Sequence, residues 1–159
     1  MNAQPHIPPR LPLPGVDRLL AIASGKGGVG KSTTASNLAV ALALEDLRVG
    51  LMDADIYGPN VPTMMGAQEK PSMNEEGRML PLVRHGVKLI SLGMIAEPGV
   101  PIIWRGPMLA KMVSQFLQDV DWAPLDYLIV DLPPGTGDVQ LTLTQTAPID
   151  GAVIVTTPQ

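Results

Sequence analysis

Short apolar runs alternate along the chain with segments whose apolar residues recur at helical spacing. The first run, residues 19–23, consists of Leu-Leu-Ala-Ile-Ala and is typical of a buried parallel strand. From Ser32 onward, apolar residues recur every three or four positions as far as Leu42, with no Gly or Pro before Gly50, which predicts a helix. Later patterns predict strands at residues 48–52 and 128–131, a helix at 107–120 and a final strand shortly before Pro158. This alternation predicts an α/β fold with a mostly parallel sheet flanked by helices.

The region between residues 56 and 106 is rich in Pro and Gly and contains no pattern for a long helix. Residues 79–83 and 87–92 form two apolar runs separated by Arg-His-Gly, which predicts a hairpin or a pair of short strands. Met64 and Met65 are interpreted as packing residues. Since a long irregular segment in a compact domain is usually a functional loop or an interaction surface, we expect one of these roles here.

Residues 25–32, Gly-Lys-Gly-Gly-Val-Gly-Lys-Ser, have the spacing of a phosphate-binding loop. In such loops, backbone N–H groups cradle nucleotide phosphates, the last lysine contacts the terminal phosphates and the next hydroxyl binds Mg²⁺. Lys31 and Ser32 take these two roles in the prediction. A predicted strand leads into the loop and a predicted helix leads out, so the positive end of the helix dipole points at the phosphates. The predicted nucleotide-binding residues are Gly25, Lys26, Gly27, Gly28, Val29, Gly30, Lys31, Ser32 and Thr33.

This loop contains one lysine more than phosphate binding requires. Lys26 lies where the chain enters the loop, and from there a side chain is poorly placed to fold back onto the nucleotide that its own loop holds. The position of Lys26 therefore points to a role in a partner subunit.

Three aspartates follow predicted strands. Asp53 and Asp55 come just after the strand at residues 48–52, and Asp131 ends the strand at 128–131. Since ligands in open parallel sheets bind at the carboxyl ends of the strands, these carboxylates are delivered toward the phosphates. One aspartate of the first pair is expected in the metal shell, and the other can orient an attacking water. Asp131 is expected to hold a metal-bound water opposite the phosphates.

Residues 132–138, Leu-Pro-Pro-Gly-Thr-Gly-Asp, follow Asp131 directly. The prolines make the start of this segment stiff and the glycines make its end mobile. Such a segment suits a loop that senses the γ-phosphate of a nucleotide and reports its loss.

Composition narrows the function classes. The net charge of −4, without a block of Lys or Arg, argues against a nucleic-acid partner. No stretch has the length and apolarity of a membrane span or the apolar core of a signal peptide, so we expect a soluble, cytoplasmic protein without a membrane partner. The absence of cysteine excludes disulfides and thiolate metal sites within the 159 residues. Five prolines before residue 15 predict a Pro-rich tail or linker at residues 1–18, ahead of a domain at 19–159.

Three segments together resemble the Mrp/ApbC family. They are the loop at 25–32, the run Asp-Ala-Asp-Ile-Tyr-Gly-Pro-Asn-Val-Pro at 53–62, and Asp-Leu-Pro-Pro-Gly-Thr-Gly-Asp at 131–138. Members of this family are iron-sulfur cluster carrier ATPases within the larger group that includes MinD, ParA and the nitrogenase iron protein. The resemblance implies that residues 19–159 are the N-terminal part of a P-loop NTPase domain, incomplete at the C-terminal side.

The same resemblance implies a role for each candidate residue. Lys26 matches the family's signature lysine, which reaches across a homodimer to the partner's nucleotide. Asp53 and Asp55 match the first switch, and residues 135–138 match the second. The implied catalytic residues are Lys26, Lys31, Asp53 and Asp55, and the implied Mg²⁺ ligands are Ser32, Asp53 and Asp131, with the aspartates acting through water.

The reaction that the resemblance implies is slow, dimer-dependent hydrolysis of ATP with Mg²⁺. The family also binds a bridging iron-sulfur cluster, expected as 4Fe-4S, through a Cys-x-x-Cys pair located after the segment present here, and transfers it to apoproteins. Because this chain has no cysteine, we expect it to be a fragment, with the cluster bound only in a longer form. Two alternatives stay open: a MinD- or ParA-like positioning or partition ATPase, and an inactive nucleotide-binding fragment.

Overall fold

The computed structural model describes residues 12–56, 58–95 and 106–158. Strands and helices alternate along the described chain except at residues 72–91, where four strands follow one another. The strands are β1 (Val16–Ala23), β2 (Val49–Asp53), β3 (Ser72–Met73), β4 (Met79–Leu80), β5 (Leu82–Arg84), β6 (Val87–Ser91), β7 (Leu125–Asp131) and β8 (Gly151–Ile154). The helices are α1 (Lys31–Leu44), α2 (Val61–Met65), α3 (Gly106–Asp119) and α4 (Asp138–Thr146), and a short 3-10 helix spans Leu92–Met94.

Six strands form one sheet in the order β5-β6-β2-β7-β1-β8. Every neighbouring pair in this sheet is parallel except β5 with β6. The predicted mostly parallel sheet is therefore confirmed. The register of β2 on β7 pairs Asp53 with Asp131, so these two aspartates end adjacent strands side by side.

Helices cover both faces of the sheet. Ala39 of α1 belongs to one buried cluster with Leu51 of β2. Phe116 of α3 and Leu143 of α4 belong to a second cluster with Val130 of β7. Because the central strands are buried on both faces, their sequences are nearly continuous apolar runs, and this is why they could be predicted. Within the described residues, no helix has the length and apolarity needed to cross a membrane.

Two parallel strands begin earlier than predicted. β1 begins at Val16 rather than at residue 19, and β7 begins at Leu125 rather than at residue 128. The added stretches pair with each other, since Val16 is in register with Leu125. Backbone hydrogen bonds build this part of the ladder while the side chains of Asp17 and Arg18 are exposed, so hydropathy gives no signal there. The last three residues of the predicted tail, 16–18, thus belong to the sheet.

The predicted strand at residues 79–83 is wrong, because Pro81 divides it. β4 pairs with β3 in a separate antiparallel ribbon, and β5 forms the predicted hairpin with β6. Pro lacks the N–H that a continuous ladder needs. Val120, predicted as the last residue of the second helix, lies beyond α3 and forms an isolated bridge with Met79.

Candidate functional site

The loop at residues 25–30 joins the end of β1 to the first turn of α1. Gly28 has φ of 79° and Gly30, the residue preceding the helix, has φ of 90°. Both values lie in the left-handed region that side chains disfavour, so the backbone here depends on glycine. The loop therefore delivers the N-terminus of a 14-residue helix to the carboxyl edge of the sheet, as an anion-binding loop requires.

A cavity of about 340 Å³ opens over this loop. Its wall combines the loop and the start of α1 with Asp55 after β2, two residues at α2, and Pro134 after β7. The cavity thus brings together three segments that the sequence predicts as parts of one site. The lining residues are Ser24, Gly27, Gly28, Gly30, Lys31, Ser32, Thr33, Asp55, Asn60, Met64 and Pro134.

Three predicted nucleotide-binding residues lie outside this lining. Gly25 lines a neighbouring, mostly apolar cavity of about 500 Å³ that extends along Gly135, Leu141 and Ile154. The side chain of Lys26 is exposed, and Val29 is half-buried. Lys31 therefore lines the cavity above the loop, whereas Lys26 lies on the exposed surface of the loop outside that cavity.

Lys31 and Asp131 form a buried ion pair beneath the cavity. The Lys31 Nζ donates to Asp131 Oδ1 at 2.6 Å, and the two side chains are 6% and 0% exposed. Burial raises the pKa of Asp131, and the Lys31 ammonium opposes that rise. The second carboxylate oxygen, Asp131 Oδ2, is buried and has no hydrogen-bond partner among the described residues. Since buried polar atoms are nearly always satisfied, this oxygen points to a ligand or ordered water at the site.

Asp53 lies next to Asp131 and is fully buried. The Ser91 hydroxyl donates to Asp53 Oδ2 at 3.1 Å, and the backbone N–H of Asp55 donates to Oδ1 at 3.0 Å. Burial raises the pKa of Asp53 to about 7, the negative charge of Asp131 adds to the rise, and the two hydrogen bonds oppose it. Asp53 therefore gains or loses a proton near neutral pH.

Asp55 occupies a different position from Asp53. It lines the cavity and is 8% exposed, and its Oδ1 accepts the backbone N–H of Gly58 at 3.1 Å. The structure thus separates two carboxylates that the sequence leaves equivalent. Asp55 faces the space above the loop, whereas Asp53 is enclosed beside Asp131.

Oxygen donors suitable for Mg²⁺ are present, but not as a complete protein cage. Ser32 lines the cavity, and its Oγ lies 3.4 Å from Lys31 Nζ. The same Nζ donates to Asp131 Oδ1, so the carboxylate that carries the unsatisfied Oδ2 lies on the other side of the lysine ammonium. The described residues contain no group of three or more His, Cys, Asp or Glu side chains arranged to hold a metal ion. This donor set fits Mg²⁺, which usually binds through one or two protein oxygens, substrate phosphates and water.

Several residues of the site were not predicted from the sequence. Ser91 ends β6, the strand beside β2, and the carboxyl end of that strand is the signal that could have identified it. Met64, interpreted as a packing residue, in fact lines the cavity. Asn60 lies in the run at 53–62 that carries the family resemblance, but no role is predicted for it from the sequence.

A known protein family matches most of the chain. The family model of NUBPL iron-transfer P-loop NTPases, of the ParA type, matches residues 15–159. The chain belongs to this family. The resemblance to iron-sulfur carrier ATPases drawn from the three segments is thereby confirmed.

Individual relatives of this chain have names that refer to the carriage or transfer of iron-sulfur clusters. An iron-sulfur cluster carrier protein of Synechocystis sp. is 56% identical over 160 residues, which cover 98% of this chain and 45% of that protein. The iron-sulfur cluster transfer protein NUBPL of Mus musculus is 50% identical over 155 residues, which cover 96% of this chain and 49% of that protein. The chain thus spans slightly less than half the length of these relatives.

A solved structure supports the P-loop fold of the family. The nucleotide-binding protein of Archaeoglobus fulgidus, in complex with ADP, is similar to this chain with a TM-score of 0.80 and 41% identity. The match covers 92% of this chain and 57% of that one. The predicted P-loop NTPase fold is therefore confirmed.

Proposed function

We propose that this chain is the nucleotide-binding part of an ATPase that carries iron-sulfur clusters and transfers them to apoproteins in the cytoplasm. The observation that carries the proposal is the single cavity shared by the loop, Lys31, Ser32 and Asp55, with the Lys31–Asp131 pair beneath it. Membership of an iron-transfer family favours a cluster carrier over a positioning or partition ATPase.

In this proposal, ATP binds with its phosphates over the loop at residues 25–33. The backbone N–H groups of the loop and of the first turn of α1 donate to the phosphate oxygens. Lys31 moves its ammonium from Asp131 to the terminal phosphates, so that one charge-assisted hydrogen bond replaces another. Because the lysine already lies under the cavity, this exchange needs only a side-chain movement.

We assign Mg²⁺ to the Ser32 hydroxyl and, through water, to Asp131 and Asp53. When bound, Mg²⁺ would neutralise charge on the β- and γ-phosphate oxygens. Release from Lys31 frees Asp131 Oδ1, and Asp131 Oδ2 is already without a partner in the described structure, so both oxygens become acceptors for water. Asp53 is held in place for this role by Ser91.

Hydrolysis then requires a water aligned with the γ-phosphorus. We assign its orientation to Asp55, because this carboxylate faces the cavity whereas Asp53 does not line it. The water oxygen bonds to phosphorus as the bond to the β,γ-bridging oxygen breaks, which gives ADP and inorganic phosphate. Lys31 stabilises the charge that develops on the transferred group and the leaving oxygen.

We further propose that Lys26 acts on the nucleotide of a second copy of the chain. Its side chain is exposed on the loop and lies outside the lining of the cavity that the same loop forms. A homodimer that opposes the two loops would complete each site with the partner subunit's lysine, and hydrolysis would be slow until the dimer forms.

Cluster binding is assigned to residues outside this chain. Cysteine thiolates are the ordinary ligands of 4Fe-4S clusters, and none of the 159 residues is cysteine. The relatives named as cluster carriers are about twice as long as the matched segment. We therefore propose that the chain supplies nucleotide chemistry to a longer protein that holds the cluster.

The first prediction concerns the two lysines. We expect Lys31→Ala to weaken MgATP binding by at least about tenfold, because a charge-assisted contact to phosphate is lost. We expect Lys26→Ala to bind MgATP within about threefold of the unaltered protein but to lose most turnover and dimerisation. Isothermal titration, phosphate release and sedimentation velocity measure these quantities, and Lys70→Ala, an exposed lysine far along the chain, is the control.

Folding must be separated from binding in this experiment. Lys31→Ala leaves Asp131 buried without its counterion, which destabilises a protein strongly. The double variant Lys31→Ala with Asp131→Asn removes both charges and is compared by circular dichroism. Unchanged MgATP binding in a folded variant without Lys31 would refute the proposed nucleotide site, and equal loss of binding in Lys26→Ala would refute its action on a second copy.

A further inference from the structure

The side chain of Gln140 lies across the segment that follows β7. Its Nε2 donates to the backbone carbonyls of Pro133, at 2.5 Å, and Gly135, at 3.0 Å. Its Oε1 accepts the backbone N–H of Gly137 at 2.9 Å. One side chain thus joins the stiff, proline-containing start of residues 132–138 to their glycine-containing end.

Only one of these three bonds belongs to an ordinary helix cap. Gln140 is the third residue of α4, and a glutamine there commonly accepts the N–H of the residue before the helix, here Gly137. The two bonds donated by Nε2 satisfy carbonyls of the preceding loop and contribute nothing to that cap. They act on the loop rather than on the helix.

The same loop is bonded to the phosphate loop on its other side. The backbone N–H of Gly135 donates to the carbonyl of Ser24 at 2.8 Å, so both polar groups of the Gly135 backbone are held. The Ser24 hydroxyl donates in turn to the carbonyl of Lys26 at 3.0 Å, and Ser24 is 3% exposed. A continuous series of hydrogen bonds therefore runs from Gln140 through Gly135 and Ser24 to the backbone of Lys26.

We propose that Gln140 is a positioning residue that fixes the backbone of Lys26 relative to the segment at 132–138. The inference rests on the proposed ATPase function and adds a means of controlling it. We call the two hydrogen bonds donated by Gln140 Nε2 the clasp. Pro134 lies in the segment that the clasp holds and forms part of the cavity wall, so the clasp fixes the position of this wall and of the Lys26 backbone together. A site whose groups are held before reaction gains turnover, whereas ground-state binding to the loop does not require the clasp.

Three variants of the protein that contains this chain distinguish the effect of the two bonds to the loop carbonyls from the effect of the helix-cap bond to Gly137. Gln140→Glu keeps an acceptor for the Gly137 N–H but replaces the donating Nε2 with oxygen, so it removes the two bonds to the loop carbonyls and places a negative oxygen beside them. Gln140→Leu removes all three bonds at similar volume. Gln145→Glu places the same new charge on an exposed position of the same helix and is the matched control.

Hydrogen exchange measures directly whether the two bonds from Gln140 Nε2 hold the loop backbone. We expect Gln140→Glu to speed exchange of the backbone amides of residues 135–137 and 24–27 by about tenfold, since two hydrogen bonds that oppose local opening are gone. Gln145→Glu should leave both segments unchanged. Exchange in Gln140→Glu that equals the control in either segment overturns the proposal, and this reading does not depend on ATP hydrolysis.

Steady-state kinetics read the consequence for the site. We expect Gln140→Glu to lower kcat about tenfold while the MgATP dissociation constant stays within about threefold, because positioning is lost and binding is kept. A kcat equal to that of Gln145→Glu, or a loss of affinity as large as the loss of kcat, would overturn the coupling to Lys26. An unaltered protein that hydrolyses no ATP would instead refute the proposed function, and the exchange data would still decide whether the clasp exists.

Discussion

At the residue scale, Asp53 combines complete burial with a pKa near neutrality. Burial raises the pKa of its carboxyl from an ordinary 3.8 to about 7, although Ser91 and the Asp55 N–H both favour the charged form. Between about pH 4 and pH 7 the folded protein therefore holds a proton that the unfolded chain has released. Folding stability from this group falls as pH rises through that window, because ionisation stabilises the unfolded chain while the buried carboxyl of the folded protein stays protonated.

This titration gives a second prediction. We expect Asp53→Asn, which mimics the protonated carboxyl, to raise the free energy of unfolding by about 2 kcal/mol at pH 8 and to have little effect near pH 4. The same variant should lose MgATP hydrolysis, because the amide cannot hold a metal-bound water as a carboxylate does. Urea unfolding at pH 4, 6 and 8 measures the stability, and a gain that is independent of pH would contradict this assignment.

Asp126→Asn is a control because the pKa of Asp126 is shifted in the opposite direction from that of Asp53. The side-chain and backbone hydrogen bonds of Arg48 lower the pKa of Asp126 to about 2. A carboxyl with a lowered pKa stabilises the fold above its ordinary pKa and loses that contribution as pH falls toward 2. Asp126→Asn should therefore destabilise the protein at pH 8 and lose its effect in acid, which no general response to amide substitution would produce.

At the element scale, the approach of β2 to the connection between α3 and β7 determines how the central strands pack. A Cβ on Gly50 would lie 2.6 Å from Leu125 Cδ1, 2.9 Å from Leu128 Cδ1 and 3.0 Å from Trp122 Cε3. Trp122 is 2% exposed, and its Nε1 donates to the carbonyl of Phe116 at 2.8 Å. The space that a side chain at Gly50 would need is thus occupied by three buried side chains.

A third prediction follows for this strand. We expect Gly50→Ala to lower the free energy of unfolding by about 1–3 kcal/mol, because an added methyl group overpacks the core. Gly151→Ala in β8 is the matched control, since its Cβ would contact only the end of Leu20, at 3.2 Å. Urea unfolding compares the two variants, and equal stability loss in both would contradict overpacking at Gly50.

Patterns in the sequence predicted elements well where side-chain burial and backbone structure coincide. Apolar runs predict β2 and residues 128–131 of β7, and apolar spacing together with Pro107 as a helix start predicts α3. Helix α4 was not predicted, because Val139, Leu141 and Leu143 alternate with polar residues as they would in a strand. In the helix, Val139 and Leu143 are buried one turn apart while Leu141 is 56% exposed. The buried face of α4 is therefore decided by tertiary packing, in one cluster with residues of α3 and β7, rather than by local pattern.

At the scale of the whole molecule, the site is assembled where several strand ends meet. The phosphate loop follows β1, Asp53 ends β2, Ser91 ends β6 and Asp131 ends β7, and these strands are neighbours in the sheet. The loop and the aspartates could be selected as candidates from the sequence, because each sits in a recognisable motif, and the structure brings them to one edge of the sheet. Ser91 has only its place at the end of a strand as a signal, and Gln140 has none, since its contacts depend on loop conformation.

Assembly of the site from separate segments gives a ligand prediction. We expect MgADP at about one hundred times its dissociation constant to stabilise the folded protein by roughly 2.7 kcal/mol, because the ligand binds only when the segments are in place. Removing Mg²⁺ with EDTA should shrink this effect, and Lys31→Ala with Asp131→Asn should abolish it. Thermal unfolding measures the shift, and a shift of equal size in the double variant would place ADP elsewhere.

The buried Lys31–Asp131 pair also bears on how fast nucleotide arrives. Opposite charges 2.6 Å apart form a dipole, and the field of a dipole decays with distance faster than that of a single ammonium. With its lysine neutralised in this way and a net charge of −4 on the chain, the protein exerts little long-range attraction on a polyanion. Encounter with nucleotide therefore depends on the short-range field of the loop amides, and its rate should rise slightly with ionic strength, because salt screens the repulsion between the two net negative charges.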